Sequence, residues 1–271
     1  MKSTVPAPGA RRLRKTLVNL GVGLGLALAP SSSLAASRSR QALWLVVQAC
    51  VADFRLIGAA FPCLEVDLNG GEKRGYVVLR DPFNPDTILT PTRKVTGIED
   101  PWLRSREAPN YFADAWRAQS LLERPAGRPG PDPFALAVNS ELTRGQDQFH
   151  IHLGCLSPAV RRWLPDFVRR LPVGAWTRIG LFGAGPSLWA LRTGEADLRD
   201  VEPVRLAAES VGGKANLARM SILVTKLRIA GSEEAVILAS YAGGSGSPGP
   251  VSAEGMLDPT CSAGRAPQRV H

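Results

Sequence analysis

From Gln148 to Leu153 polar and apolar side chains alternate, Gln148, His150 and His152 against Phe149, Ile151 and Leu153, and Gln146 falls on the polar side of the same pattern. A period of two is the mark of a strand with one buried face. It also fixes register, because a slip of one residue would drive two imidazoles into the core and bring Ile151 and Leu153 into solvent. Whatever fold the chain adopts must hold a strand with an apolar back and a polar front. The whole sequence has three histidines, and two of them stand on this front.

The flanking segments extend the pattern. Gly75–Asp81 ("GYVVLRD") reads as a β-branched strand, and Thr87–Thr92 ("TILTPT") as its hairpin partner across the turn residues "PFNPD". Phe134–Ser140 ("FALAVNS") reads as another strand, and Ser221–Arg228 with Ala235–Tyr241 as a hairpin. Helices are expected over Gln41–Cys50, over Asn110–Glu123 and from Ser157-Pro158 onward, the last with a serine cap and a first-turn proline. In that third helix Val160, Trp163, Leu164, Phe167, Val168 and Leu171 form an apolar stripe with arginines off it, fit to pack on the sheet or to lie on an anionic bilayer. Packing is the favoured reading, and Pro165 is expected to kink or restart the helix. The connector "RPAGRPGPDP" and the stretch "GLFGAGPS" read as loops. The fold class is α+β with a central antiparallel sheet.

Residues 1–35 look like an export signal or membrane anchor. A basic stretch (Arg11–Lys15) precedes a short apolar run and then small residues, and no charge occurs from Thr16 to Ser37. Five of the nine net positive charges lie in residues 1–35, as Lys2, Arg11, Arg12, Arg14 and Lys15 with no acid. The basicity therefore belongs largely to targeting and argues against a nucleic-acid surface. Export makes the four cysteines candidates for disulfides. Three pairings are possible. The favoured one joins Cys50 to Cys63 in a local loop and Cys155 to Cys261 across the histidine strand and the tail. Zinc competes, but the spacings match no CxxC knuckle.

Two neutral imidazoles on one face suit phosphoryl chemistry. One can attack phosphorus while a backbone carbonyl holds its other nitrogen, and the second can donate to an oxygen or carry a proton. Gln146 and Gln148 can donate to phosphoryl oxygens without adding charge, and Arg144 can pair with a phosphate. The blander readings are exposed polar residues, or a His-x-His metal pair for which no third ligand is evident. Asn139 and Ser140 fit the closing of a turn equally well.

Gln148-Phe149-His150-Ile151-His152-Leu153-Gly154 resembles the histidine-triad motif, with Gln148 where the first histidine would stand. Together with "GYVVLRD", "LTPTRKVTGIEDPWL", "PNYFADAW", "LAVNS", "QFHIHLGCLSP" and the four-cysteine spacing, the chain resembles the bacterial CDP-diacylglycerol pyrophosphatases. The similarity is strong over residues 45–165 and weaker to Tyr241. It implies a histidine-triad-like antiparallel sheet with packed helices and a C-terminal α+β extension. Residues 41–241 would form the hydrolase domain and 242–271 a flexible tail carrying Cys261. It implies hydrolysis of CDP-diacylglycerol to CMP and phosphatidate, with His150 as nucleophile and His152 assisting. Asn139, Arg144, Gln146 and Gln148 would line the phosphate site, with no cofactor and no metal. The implied partners are the liponucleotide and a membrane surface, at the periplasmic face of an inner membrane, with no nucleic acid and no obligate protein partner. An amide at position 148 cannot act as acid or base. Two alternatives stand beside this reading: a metal-dependent phosphohydrolase using the His-x-His pair, and an exported nucleotide- or lipid-binding protein without activity.

Overall fold

A computed structural model describes residues 40–80, 86–122, 133–179, 187–210, 214–241 and 252–261. The segment 1–35, most of the 124–133 connector, the Gly-rich stretch at 180–186 and residues 242–251 of the tail lie outside the described residues.

The chain opens with α1 (Ala42–Ile57) and β1 (Glu65–Asp67). β2 (Tyr76–Arg80) and β3 (Thr87–Pro91) follow, then α2 (Tyr111–Arg117) and β4 (Phe134–Val138). β5 (Ile151–Leu156) carries the histidines into α3 (Pro158–Val168). β6 (Thr177–Ile179), β7 (Ser187–Arg192), α4 (Pro203–Ser210), β8 (Met220–Ile229), β9 (Ser232–Tyr241) and β10 (Leu257–Asp258) complete the fold. The strands form one antiparallel sheet in the order β1-β2-β3-β5-β4-β8-β9-β7-β6. β10 pairs with the end of β5 that β3 leaves open, Leu257 opposite Leu156 and Asp258 opposite Cys155. The result is the expected α+β architecture.

Register decides which residues share a face. Leu79, Ile88, His152, Ala137, Leu223, Leu238 and Ala190 follow one another across the sheet as direct partners, so they project to one side. Ile151, Leu153, Leu136, Ile222 and Ile237 project to the other, where Tyr111, Phe112 and Ala115 of α2 and Val204, Ala207 and Ala208 of α4 cover them. The histidine side holds two separate cores. α1 packs Leu43, Val47 and Val51 over β1–β3, and α3 packs Val160, Leu164 and Val168 over β4, β7, β8 and β9. His150 and His152 lie in the gap between these cores.

Local chemistry accounts for the edges of the elements. The β8–β9 hairpin turns at Ala230 and Gly231, whose φ of 49° and 95° match the two-residue turn that suits twisted strands. Asn110 caps α2 by accepting from the Ala113 N–H at 3.1 Å. α3 starts as expected, with the Ser157 side chain accepting from Val160, and runs on through Pro165. Burial of Val160, Leu164, Val168 and Leu171 on the sheet holds both halves on one axis, so this stripe is core and not a bilayer contact. The histidine strand begins later than the alternation suggests. Pro91 has no N–H to continue the β3 ladder, and the Thr90 hydroxyl takes the Phe149 carbonyl at 2.7 Å.

Both disulfides form in the favoured pairing, Cys50–Cys63 and Cys155–Cys261, with Cα atoms 5.7 and 5.0 Å apart. The second belongs to a segment whose composition reads as flexible tail. Residues 252–261 are instead part of the fold, through β10, the buried Ala253 and the bond from Ser157 N–H to the Met256 carbonyl. Among the described residues no helix is long and apolar enough to cross a membrane.

Candidate active site

His150 stands one residue before β5, and His152 is its second residue. Their rings meet edge to face with centroids 4.8 Å apart. Both are buried, His150 to 9% exposure and His152 to 4%. The Gln148 carbonyl accepts from His150 Nδ1 at 2.6 Å. A carbonyl can only accept, so the proton sits on Nδ1, and among the described residues no hydrogen bond occupies the Nε2 lone pair. Burial, reinforced by repulsion from His152, lowers the His150 imidazole to about 3, so it stays neutral at physiological pH.

His152 is held differently. Its Nδ1 lies 3.3 Å from Asp86 Oδ2, and its Nε2 is buried without a hydrogen-bond partner among the described residues, 3.7 Å from Glu254 Oε2. A carboxylate behind one nitrogen orients the ring and leaves the other nitrogen facing the gap. Burial works to raise the Asp86 carboxyl, but hydrogen bonds from His152 and Glu254 outweigh it and hold the group below its ordinary range. Glu254 goes the other way: burial and the neighbouring Asp86 push it up against the pull of His152. Of the two neighbouring carboxyls, Glu254 therefore holds its proton more tightly than Asp86 does.

Asn139 fixes Glu254 from below. Its Nδ2 donates to Glu254 Oε2 at 2.9 Å, while its Oδ1 accepts from Ser252 Oγ at 2.9 Å and from the Glu254 N–H at 3.3 Å. Gly154 lets this segment cross closely, since a Cβ there would lie 3.0 Å from the Asp258 carbonyl oxygen. Cys155 then bonds the end of the segment to β5.

The structure thus brings His150, His152 and Asn139 together, and keeps Arg144, Gln146 and Gln148 occupied elsewhere. Arg144 reaches Glu99 Oε2 at 2.8 Å and Asp147 Oδ1 at 3.3 Å, in space that only a glycine at position 97 leaves open. Gln146 accepts from the Leu43 N–H at 3.0 Å, at the start of α1. Gln148 is fully buried, donating to Thr90 Oγ1, Pro91 O and Arg93 O and accepting from the Val95 N–H. The amide at this position is therefore a frame member that ties β5 to the exit of β3. Gln148→Ala leaves an N–H and carbonyls unpaired, so stability falls by about 2–4 kcal/mol. A urea denaturation midpoint equal to the parent's would contradict that role.

Asp86 and Glu254 escape the sequence reading. Asp86 ends a turn-like "PFNPD", and Glu254 lies beyond a Gly/Ser/Pro stretch, 115 residues after Asn139. The one available signal was Cys261, whose pairing with Cys155 returns the tail to the histidine strand. With His152 these two acids are also a set whose ligand atoms lie within 4.8 Å of one another, a set that takes one histidine of the His-x-His pair and leaves His150 out.

An antiparallel sheet with packed helices makes this an α+β protein, and its two buried imidazoles, one of them beside a carboxyl pair, are an arrangement suited to acid–base or nucleophilic chemistry. The family model described as CDP-diacylglycerol pyrophosphatase matches residues 38–265, and the chain belongs to that family. A curated relative from Yersinia pestis, CDP-diacylglycerol pyrophosphatase, is 34% identical over 194 residues, covering 69% of this chain and 72% of that protein.

Proposed function

We propose that this chain hydrolyses CDP-diacylglycerol to CMP and phosphatidate through a nucleotidylated His150. Family membership supports the substrate and the hydrolysis. The observation that carries the mechanism is the His150 ring itself: neutral, with Nδ1 held by the Gln148 carbonyl and Nε2 free. Nε2 attacks the phosphorus bearing the cytidine, and an N–P bond forms. The bridging P–O bond breaks, and its electron pair leaves with phosphatidate. Water then attacks the same phosphorus, the N–P bond breaks, and the lone pair returns to His150. His152, with its Nδ1–H on Asp86, takes the water's proton at Nε2, and the Asp86–Glu254 pair buffers the resulting charge.

The acyl chains of the substrate remain in a bilayer, so turnover takes place at a membrane surface. The two disulfides support an oxidising compartment, and the N-terminal segment supports export. Both fit the periplasmic face of an inner membrane.

Single-turnover hydrolysis in H₂¹⁸O tests the direction of attack. The label is expected in CMP, whereas label in phosphatidate would place attack on the other phosphorus. A second reading rests on Asp86, His152 and Glu254 as ligands for a divalent cation that activates water. Exhaustive chelation separates the two. Full activity after chelation, with an acid-labile CMP adduct, supports the histidine route. Loss restored by added metal, with no adduct, supports the cation.

A further inference from the structure

α1 buries Leu43, Val47, Cys50 and Val51 against the sheet and turns a second apolar stripe outward. Leu45, Ala49, Ala52 and Leu56 follow at i, i+4, i+7 and i+11, one face of a helix, and all four are exposed. Leu45 is 65% exposed, Leu56 80%, the adjoining Ile57 75%, and Phe61 in the following loop 74%. The Cys50–Cys63 bond ties that loop to the helix, and Phe61 adds another exposed apolar side chain close in sequence to Leu56 and Ile57. Large apolar side chains gathered in this way mark a surface that meets something apolar.

Beside α1 runs a groove of about 810 Å³ lined by Trp44, Gln48, Lys73, Arg74, Arg93 and Trp102. Two acids also line it, of which Glu72 is engaged by Arg55. Three cations and two tryptophans next to an apolar stripe match the boundary of an anionic bilayer, where apolar side chains enter the acyl region and cations meet phosphates.

Two further facts select the bilayer over a second copy of the chain. The uncharged stretch from Thr16 to Ser37 leads directly into Arg40 and α1, so the chain arrives at this helix from its most apolar segment. The start of α1 also abuts the histidine segment, with Asp147 N–H bonded to the Arg40 carbonyl at 2.8 Å and α1 on the same side of the sheet as His152. We infer that the outward face of α1, with Phe61 and the Lys73–Arg74–Arg93 groove, docks on an anionic phospholipid surface and brings the histidine gap to lipid-borne substrate. This rests on the substrate reading above.

The test uses the full-length oxidised protein with an environment-sensitive fluorophore (NBD) on Leu56→Cys, or on Glu209→Cys on the opposite side of the sheet. With vesicles of phosphatidylglycerol and phosphatidylcholine, the probe at 56 is expected to brighten several-fold and shift to the blue, while the probe at 209 does not respond. Removing two cations in Lys73→Gln/Arg74→Gln weakens the vesicle affinity about thirtyfold. A silent probe at 56 overturns the proposal. So does a response that follows protein concentration without vesicles, which would assign the face to a second copy. In kinetics, Leu45→Glu/Leu56→Glu lowers turnover of vesicle-borne CDP-dioleoylglycerol about tenfold and leaves a soluble short-chain analogue unaffected. An equal loss on both substrates overturns docking. A parent protein inactive on both overturns the hydrolase reading instead, and the two probe positions still decide the docking face.

Discussion

His150→Ala lowers turnover of CDP-diacylglycerol by roughly 10³-fold or more, and protein quenched in alkali, where an N–P bond survives, no longer carries labelled CMP. The size of the effect follows from the position of the ring. It is buried, its Nδ1 proton is fixed by the Gln148 carbonyl, and no other described nitrogen in the gap shares these features. His152 stands in a different setting, with a carboxylate rather than a carbonyl on its Nδ1 and Glu254 3.7 Å from its Nε2, which suits it to carry a proton rather than to replace the nucleophile. His152→Ala is accordingly expected to slow hydrolysis of the adduct about 10²-fold, so that the adduct accumulates and can be trapped. The pH profile gives an independent check. An ordinary imidazole would protonate near 6.5, and turnover would fall through pH 6; with the group lowered to about 3, the nucleophile stays neutral and this limb is displaced downward. Stability has the same sign. The unfolded chain binds the proton from about 6.5 downward while the native state refuses it until about 3, so the contribution of His150 is complete above 6.5 and lost as pH falls from there toward 3. A wild-type rate for His150→Ala, or an adduct on that variant, would remove the covalent mechanism.

What could be read without coordinates was local. Alternation at Phe149, Ile151 and Leu153 located the strand and its buried back, and all three are indeed core. The Ser157-Pro158 start of α3 and the β8–β9 hairpin carry their own cap and turn chemistry, and both form where expected. Alternation alone placed Gln148 beside the histidines, but it could not register that Thr90, Pro91, Arg93 and Val95 offer this amide a full set of backbone and hydroxyl partners. Arg144 shows a similar limit. A guanidinium near a phosphate site invites a substrate role, whereas Glu99 and Asp147, brought in by tertiary contacts, already neutralise it. The short strand β1 has too few residues for a periodic signal. The acids of the site were hidden for a different reason: both come from segments whose composition signals turn or tail, and only the three-dimensional path of the chain sets Asp86 and Glu254 against His152.

That path depends on a covalent bond, which leads to the second large effect. Cys261→Ser, or selective reduction of Cys155–Cys261, is expected to reduce turnover about 10²-fold even where the protein remains folded. Beyond the burial of Ala253 and Leu257 and the Ser157 N–H on the Met256 carbonyl, the segment 252–261 is held by three means: two paired residues in β10, the Asn139 amide on Ser252 and Glu254, and the disulfide. The first two are a short ladder and a few hydrogen bonds worth about 1 kcal/mol each. The disulfide closes a loop with a sequence separation of 106 residues, and on the chain-entropy account its removal costs about 4–5 kcal/mol. Without it the segment opens locally, and Glu254 leaves both His152 and Asp86. Cys50→Ser/Cys63→Ser is the control. Its loop separation is 13 residues, its removal costs about 3 kcal/mol, and it lies in the α1 core away from the histidines. With a soluble short-chain substrate, the control is expected to lower the unfolding midpoint and spare kcat, whereas Cys261→Ser lowers both. Adding Glu254→Gln to Cys261→Ser should then cost little more, because both changes remove the same carboxyl from the same imidazole. A Cys261→Ser protein with parental kcat would show that the tail stabilises the fold without serving the chemistry. Additive losses in the double variant would show that Glu254 acts from a position the disulfide does not set.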